Sequence, residues 1–205
     1  MKTEILSAEH PAAIQHALDV LHNGGLVAFP TDTVYGLAAP ADDVRSIERL
    51  YTVKGRRNTK AIAILLGDSA DLEKVAMPAS PLVQRLAEKF WPGPLTLILP
   101  RRPTLPEILS PLPTIGVRVP DHPIALALLK AAGPLAVTSA NLSGGENTLT
   151  AKQVYAQLRD RIHLILDGGT TPGSVPSTVV DCTGDAPEVL RAGPILLADV
   201  LAALE

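Results

Sequence analysis

Short apolar runs alternate with amphipathic segments along this chain, and that alternation constrains the fold more than any other feature. A short apolar run is typical of a buried strand, whereas apolar residues three and four positions apart predict a helix. The predicted strands cover residues 26–29, 61–66, 95–99, 115–119, 135–138, 162–166, 177–181 and 189–191. The predicted helices cover residues 11–23, 81–90, 124–132, 150–160 and 197–204, with one more capped by Asp42. The pattern predicts an α/β fold.

The first strong strand runs directly into a polar loop. Pro30 cannot donate a hydrogen bond to a sheet, so it ends the run at residues 26–29. Four hydrogen-bonding side chains follow within five residues: Thr31, Asp32, Thr33 and Tyr35. In open α/β sheets, ligands bind beyond the carboxyl ends of strands. The same residue types also favour ordinary turns, so chemistry alone leaves both interpretations open.

A basic loop is predicted between the second helix and the strand at residues 61–66. Four of the 18 Lys and Arg residues fall within seven positions: Lys54, Arg56, Arg57 and Lys60. A charge cluster of this kind is usually a solvated loop. Because both ends of the loop are anchored, it also suits cations that must meet phosphate oxygens.

Two later features point to bound anions. Arg118 lies inside the predicted strand 115–119, where a half-buried guanidinium needs an acidic partner or a bound anion. The strand at residues 135–138 runs into Ser139, Asn141 and two glycines. Backbone amides in such a turn can cradle phosphates, although an ordinary loop has the same composition.

Composition excludes several classes of protein. Aromatic residues make up 3% of the chain and the net charge is −3, which argues against a base-stacking platform or a generally basic RNA-coating protein. A single cysteine, Cys182, gives neither an internal disulfide nor a Cys-rich zinc site. Signal-peptide and membrane-span patterns are absent, so we expect a cytoplasmic protein with no membrane partner. The sequence also has neither common nucleotide-binding glycine motif, and its five histidines are scattered.

Three motifs occur in the order of a known family. They are Pro-Thr-Asp-Thr-Val-Tyr-Gly-Leu at 30–37, Lys-Gly-Arg at 54–56 and Ser-Ala-Asn at 139–141. With them, the chain resembles the YrdC-like threonylcarbamoyl-AMP synthases from about residue 10 to Arg191. The resemblance implies a twisted, mixed, open sheet flanked by helices, with a concave basic face. It also implies a single YrdC-like domain over residues 1–205, the short form of the family.

The resemblance implies a specific reaction. L-Threonine, bicarbonate and ATP would condense into threonylcarbamoyl-AMP with release of pyrophosphate. A separate tRNA threonylcarbamoyl-transfer complex would use that product, and this chain would itself bind tRNA weakly. Mg²⁺ is expected to accompany ATP. Its protein ligands are unknown, and Asp32 and Asp181 are candidates only for positions beyond the direct ligands of the ion.

The resemblance implies the site residues, and its match for Arg118, Ser177 and Arg191 rests on order and spacing more than on motif identity. The catalytic candidates are Lys54 and Arg56. The predicted ATP-binding residues are Lys54, Arg56, Lys60, Ser139, Asn141, Asn147 and Arg191. The predicted threonine-binding residues are Thr33, Tyr35, Arg118, Thr138 and Ser177.

Two residues depart from the family pattern. Arg57 stands where many relatives have proline, and Leu65 where longer members carry a histidine near the threonine.

Three other functions compete with this assignment. The main rival is a double-stranded RNA-, tRNA- or ribosome-binding protein of the same fold without ATP turnover. A paralogous branch lacks the Lys-x-Arg and Ser-x-Asn motifs, which this chain has. Carbamoyl-transfer modules of hydrogenase maturation lie inside much longer chains.

Overall fold

A computed structural model describes residues 2–204, and their backbone forms one ten-stranded sheet with helices on both faces. The strands are β1 (Glu4–Ser7), β2 (Val27–Phe29), β3 (Gly36–Pro40), β4 (Ala63–Leu65), β5 (Leu95–Pro100), β6 (Thr114–Arg118), β7 (Leu135–Ser139), β8 (Leu164–Asp167), β9 (Thr178–Asp181) and β10 (Glu188–Arg191). The helices are α1 (Ala13–His22), α2 (Val44–Lys54), α3 (Pro81–Phe90), α4 (Pro123–Ala132), α5 (Ala151–Leu158) and α6 (Leu197–Ala202). Short 3₁₀ helices cover Ser69–Lys74 and Glu107–Leu109. The predicted α/β class is therefore confirmed.

The sheet is open and mixed. Its strand order is β1-β8-β2-β3-β7-β4-β6-β5-β9-β10. The pairs β1/β8, β2/β8, β4/β6 and β5/β9 are parallel, and the remaining five neighbouring pairs are antiparallel. Three predicted strands are present with slightly different bounds: 26–29, 61–66 and 115–119 correspond to β2, β4 and β6. The observed strands are shorter or shifted because the apolar runs extend beyond the residues whose backbone is paired.

Helix ends follow local chemistry. Ser80 caps α3 and Thr150 caps α5, each accepting a hydrogen bond from a backbone N–H of the first turn, as predicted. The predicted cap at Asp42 is wrong by one residue. Asp43 has extended backbone and its carboxylate accepts from the N–H of Arg45 at 3.0 Å, so it caps α2 instead.

The two faces of the sheet carry separate hydrophobic cores. Helices α2, α3 and α5 pack on one face, where the largest core cluster lies. Helices α1 and α4 pack on the opposite face against strand residues that include Phe29, Leu65 and Leu135. Since α1 and α4 cover only part of that face, the rest of it remains available for a ligand. No helix within residues 2–204 has the length and apolarity to cross a bilayer.

Candidate functional site

A cavity of about 300 Å³ lies on the face of the sheet that carries α1 and α4. Its floor consists of alternate residues on four adjacent strands: Val137 and Ser139 of β7, Ala63 and Leu65 of β4, Gly116 and Arg118 of β6, and Thr96 and Ile98 of β5. On β4, β5 and β6 the residues between them, Ile64, Leu97 and Val117, point into the core of the other face, whereas Thr138 of β7 also lines the cavity. The volume is at the lower end of the ~300–1,000 Å³ typical of ligand pockets.

The cavity is strongly cationic. Three arginines line it, Arg56, Arg118 and Arg191, and no acidic side chain within residues 2–204 is part of its lining. Arg56 donates to the carbonyls of Lys60 at 3.2 Å and Ala61 at 2.7 Å. Burial lowers the pKa of Arg56 and Arg191, but a guanidinium stays charged at neutral pH. The site can therefore hold a ligand with more than one negative charge.

Arg118 is buried at the end of β6 and fixed by three contacts. Its Nε donates to the carbonyl of Gly93 at 2.9 Å, and its NH1 donates to the Thr33 hydroxyl at 2.9 Å. Its NH2 donates to a carboxylate oxygen of Asp32 in an ion pair. The acidic partner that the sequence required is thus Asp32. Burial lowers the pKa of Arg118, and the Asp32 carboxylate opposes that shift.

The hydroxyls of the loop after β2 form a network with defined donors. The Thr31 hydroxyl donates to the carbonyl of Val34 at 2.6 Å, which uses its only proton. In the 3.1 Å contact between the two threonine hydroxyls, Thr33 must then be the donor. Thr33 also accepts from Arg118. One lone pair of the Thr33 hydroxyl therefore remains free to accept a hydrogen bond from an N–H or O–H group of a ligand.

A second cluster of hydroxyls lies on β5 and on the segment before β9. The hydroxyls of Thr96 and Ser177 lie 2.7 Å apart, and Arg191 NH2 reaches the Ser177 hydroxyl at 3.1 Å. Arg191 also donates to the Ser177 carbonyl from Nε and NH2. Gly193 permits this packing, since a Cβ there would come within 2.3 Å of the Thr178 nitrogen. Sequence reasoning missed Thr96, and its polar character inside an apolar strand was the available signal.

Tyr35 is among the residues that line the cavity, and its hydroxyl holds the loop after β8 in place. The hydroxyl donates to the carbonyl of Gly169 at 2.8 Å and accepts from the N–H of Gly168 at 3.3 Å. Burial raises the pKa of Tyr35 to about 12. Tyr35 therefore shapes the pocket and does not supply a proton acceptor at neutral pH.

Lys54 belongs to the last turn of α2, not to the basic loop in which the sequence analysis placed it. Positions 47, 50, 51 and 54 form the buried stripe of this helix, a spacing that was visible in the sequence. The side chain is 2% exposed, and Nζ donates to the carbonyls of Ser139 and Asn141. Burial, with a smaller contribution from Arg56, lowers the pKa of Lys54 to about 7.

Lys54 thereby holds the turn that contains the Ser-Ala-Asn motif. Ser139 Oγ donates to Asn141 Oδ1 at 2.6 Å, and Asn141 Nδ2 donates to the carbonyl of Gly145 at 2.7 Å. Ser139 lines the cavity, whereas the Lys54 amine and the buried Asn141 support it from behind. The three motifs predicted from sequence therefore meet at one place.

The remaining predicted residues divide into two groups. Thr138 lines the cavity, and so does Leu65, one of the two family departures. Lys60 and the other departure, Arg57, are exposed, and Asn147 is half-buried. All three lie outside the cavity lining.

The residues present do not fit a protein-held magnesium ion. Within residues 2–204, no group of three or more His, Cys, Asp or Glu side chains could hold a metal. Asp32 is paired with Arg118, and Asp181 accepts from the N–H and hydroxyl of Thr183 at 2.8 and 2.7 Å.

A family model and curated relatives both match most of this chain. The family model Sua5_yciO_yrdC, described as "Telomere recombination", matches residues 19–193. The threonylcarbamoyl-AMP synthase of Bacillus subtilis is 42% identical over 196 residues, which cover 94% of this chain and 56% of the relative. This chain spans about half the length of the first curated relatives it matches.

Solved structures match over nearly the whole chain. Sua5 of P. abyssi in complex with L-threonine has a TM-score of 0.95 and 37% identity, covering 98% of this chain and 61% of that one. E. coli YciO has a TM-score of 0.87 and 29% identity, covering 97% of this chain and 99% of that one. The predicted open mixed sheet is thus shared with these proteins.

Proposed function

The chain belongs to the Sua5/YciO/YrdC family, and we propose that it is a threonylcarbamoyl-AMP synthase. It would condense L-threonine, bicarbonate and ATP into threonylcarbamoyl-AMP and pyrophosphate. The observation that carries this proposal is one cavity that combines three arginines with the hydroxyls of Thr33, Thr96 and Ser177. Such a lining suits a substrate carboxylate, donor groups on the same molecule and phosphate oxygens together.

The threonine end of the site is assigned to Arg118 and its neighbours. The guanidinium of Arg118 suits the α-carboxylate, and Thr33 has one acceptor lone pair for the amine or hydroxyl of the amino acid. Ser177 is assigned to the same ligand, while Tyr35 and Thr138 shape the pocket. The P. abyssi relative solved with L-threonine supports this use of the fold.

The nucleotide end is assigned to Arg56, Arg191 and Ser139. We propose that the two arginines neutralise the triphosphate, and that Ser139 contacts the nucleotide or the transferring group. Lys54 and Asn141 would support Ser139. Lys60 and Asn147 remain predicted nucleotide contacts that the bound triphosphate would have to reach outside the cavity.

The proposed chemistry needs positioning and charge more than covalent help from the protein. The amine nitrogen of threonine attacks the carbon of CO₂, derived from bicarbonate, and loses a proton to give a carbamate. A carbamate oxygen then attacks the α-phosphorus, and the bond to the β,γ-pyrophosphate breaks. Fixed arginines stabilise the negative charge that develops on the phosphates without reorganising.

Metal and partners are part of the proposal. Mg²⁺ would enter bound to the phosphates of ATP, because the lining offers it no carboxylate. The product is a reactive mixed anhydride, so a tRNA threonylcarbamoyl-transfer complex must use it promptly, which fits a cytoplasmic location. Direct contact of this chain with tRNA is a separate expectation.

Release of pyrophosphate tests the proposal. The purified protein is incubated with ATP and Mg²⁺, with and without threonine and bicarbonate, and pyrophosphate is quantified. We expect release only when both co-substrates are present. Pyrophosphate release that does not depend on threonine would show that the protein catalyses a different reaction. If there is no turnover but salt-sensitive binding of double-stranded RNA, the RNA-binding alternative, which the comparisons do not favour, would be correct.

A matched pair of arginines tests the assignment of the basic loop. Arg56→Ala removes a guanidinium from the cavity, whereas Arg57→Ala removes a neighbouring exposed one. Loss of one donor that acts in the transition state typically costs about 100- to 1,000-fold in turnover. We expect that loss for Arg56→Ala and little change for Arg57→Ala. Equal small losses at both positions would make the loop an ordinary solvated one.

A further inference from the structure

Arg118 differs from the other two arginines of the cavity because its charge already has a counter-ion. Its NH2 group pairs with the Asp32 carboxylate, and the two side chains are 6% and 10% exposed. Arg56 and Arg191 bond only to carbonyl and hydroxyl oxygens and take part in no ion pair within the described residues. The cavity therefore presents two uncompensated cations and one compensated cation.

The Asp32 carboxylate uses only one of its two oxygens. Oδ1 accepts both from Arg118 and from the N–H of Asp121, the latter at 3.1 Å. Oδ2 is buried and has no hydrogen-bond partner within residues 2–204. Asp32 is not part of the cavity lining. It lies beside Arg118, shielded from the space that a ligand would occupy.

A substrate carboxylate at Arg118 would therefore share the guanidinium with Asp32. The contacts described above use three of the five guanidinium N–H groups, so two are left for a ligand. Two carboxylates around one cation repel each other, and burial weakens the screening of that repulsion. The ion pair thus stabilises the empty site and opposes binding of the anion.

We propose that Asp32 is an internal counter-ion that limits the affinity of Arg118 for the carboxylate of the amino-acid substrate. This inference rests on the proposed function. The product of that reaction keeps the same free carboxylate, so the counter-ion also limits how tightly the product is held. Asp32 is a positioning residue that acts through Arg118 and does not touch the substrate.

Asp32→Asn tests the charge while it preserves the geometry. Both hydrogen bonds of Asp32 go to one oxygen, which the amide of asparagine still provides. We expect the variant to bind L-threonine about tenfold more tightly in calorimetric titrations, because the repulsion is gone. L-Threonine amide, which has no carboxylate, should show no such gain. The empty variant should melt at a lower temperature, since Arg118 loses its counter-ion.

Asp121→Asn is the matched control, because its exposed carboxylate lies next to the same network and should leave threonine affinity unchanged. If Asp32→Asn bound threonine equally or less tightly than the parent, the inference would be overturned. If Asp32→Asn is unfolded alone, L-threonine but not its amide should restore cooperative unfolding. A variant that neither ligand restores would make Asp32 purely structural and would also overturn the inference. Failure of the parent protein to bind threonine would instead contradict the proposed function.

Discussion

Lys54→Met should change how the stability of this protein depends on pH. Lys54 is 2% exposed, and its pKa falls from 10.5 in the unfolded chain to about 7 in the folded one. Between those two values the unfolded state binds more protons at this side chain than the folded state does. The free energy of unfolding of the parent must then rise with pH through this window. The rise between pH 7 and pH 9 amounts to about 2 kcal/mol.

Methionine keeps most of the buried side chain but cannot titrate. It also leaves the carbonyls of Ser139 and Asn141 without their donor, at a cost of about 1–3 kcal/mol for each, independent of pH. Urea unfolding of both proteins at pH 7, 8 and 9 measures the gap between their free energies of unfolding. We expect the advantage of the parent to grow by about 2 kcal/mol over this range.

The control is Lys152→Met, which makes the same replacement at an exposed position on α5. A gap for Lys54→Met that is equal at pH 7 and pH 9 would refute the reasoning. It would mean that the carbonyl oxygens around Nζ, with Asn141 Oδ1 at 3.4 Å, keep the amine charged despite its burial.

Three further predictions follow from the site and the core. Competition assays at saturating ATP and bicarbonate should rank the substrates threonine, serine and valine, with serine about 10- to 200-fold below threonine because a methyl contact is lost. Valine should be worse than serine because it offers no hydroxyl to the hydrogen-bonding capacity that Thr33 and Ser177 have left, and valine matching serine would remove their assigned roles. Gly36→Ala should destabilise the protein by about 1–3 kcal/mol in urea unfolding, since its Cβ would lie 2.8 Å from Val137 Cγ1; an unchanged midpoint would show that Val137 moves freely. Burial raises the pKa of the Cys182 thiol to about 12, so iodoacetamide at pH 8 should modify it only after unfolding, and rapid labelling of the folded protein would contradict that burial.

Local sequence patterns predicted most of the secondary structure because each pattern acts within a few residues. Apolar runs specified buried strands such as β2, and Ser80 and Thr150 specified helix starts through hydrogen bonds three residues away. The choice between Asp42 and Asp43 failed because both can cap a helix, and backbone geometry decides between them.

Most of the candidate site came from the resemblance and not from local chemistry. The residues alone left the loop at 31–35, the basic cluster and the Ser139 turn each open between a ligand site and an ordinary loop. Placing Lys54 in a loop was an error of the same kind, because its charge concealed its position on the buried stripe of α2.

The sequence by itself determined the α/β class, the places where strands end in polar loops, and the need of Arg118 for a negative partner. Only the tertiary structure decided which partner it has. Asp32 is 86 residues from Arg118, and Ser177 is 81 residues from Thr96, yet each pair is in contact. These contacts depend on a strand order that places β4 between β7 and β6, and β5 between β6 and β9. That order follows from burying apolar surface on both faces of the sheet at once, a requirement of the whole chain that no local stretch of sequence encodes.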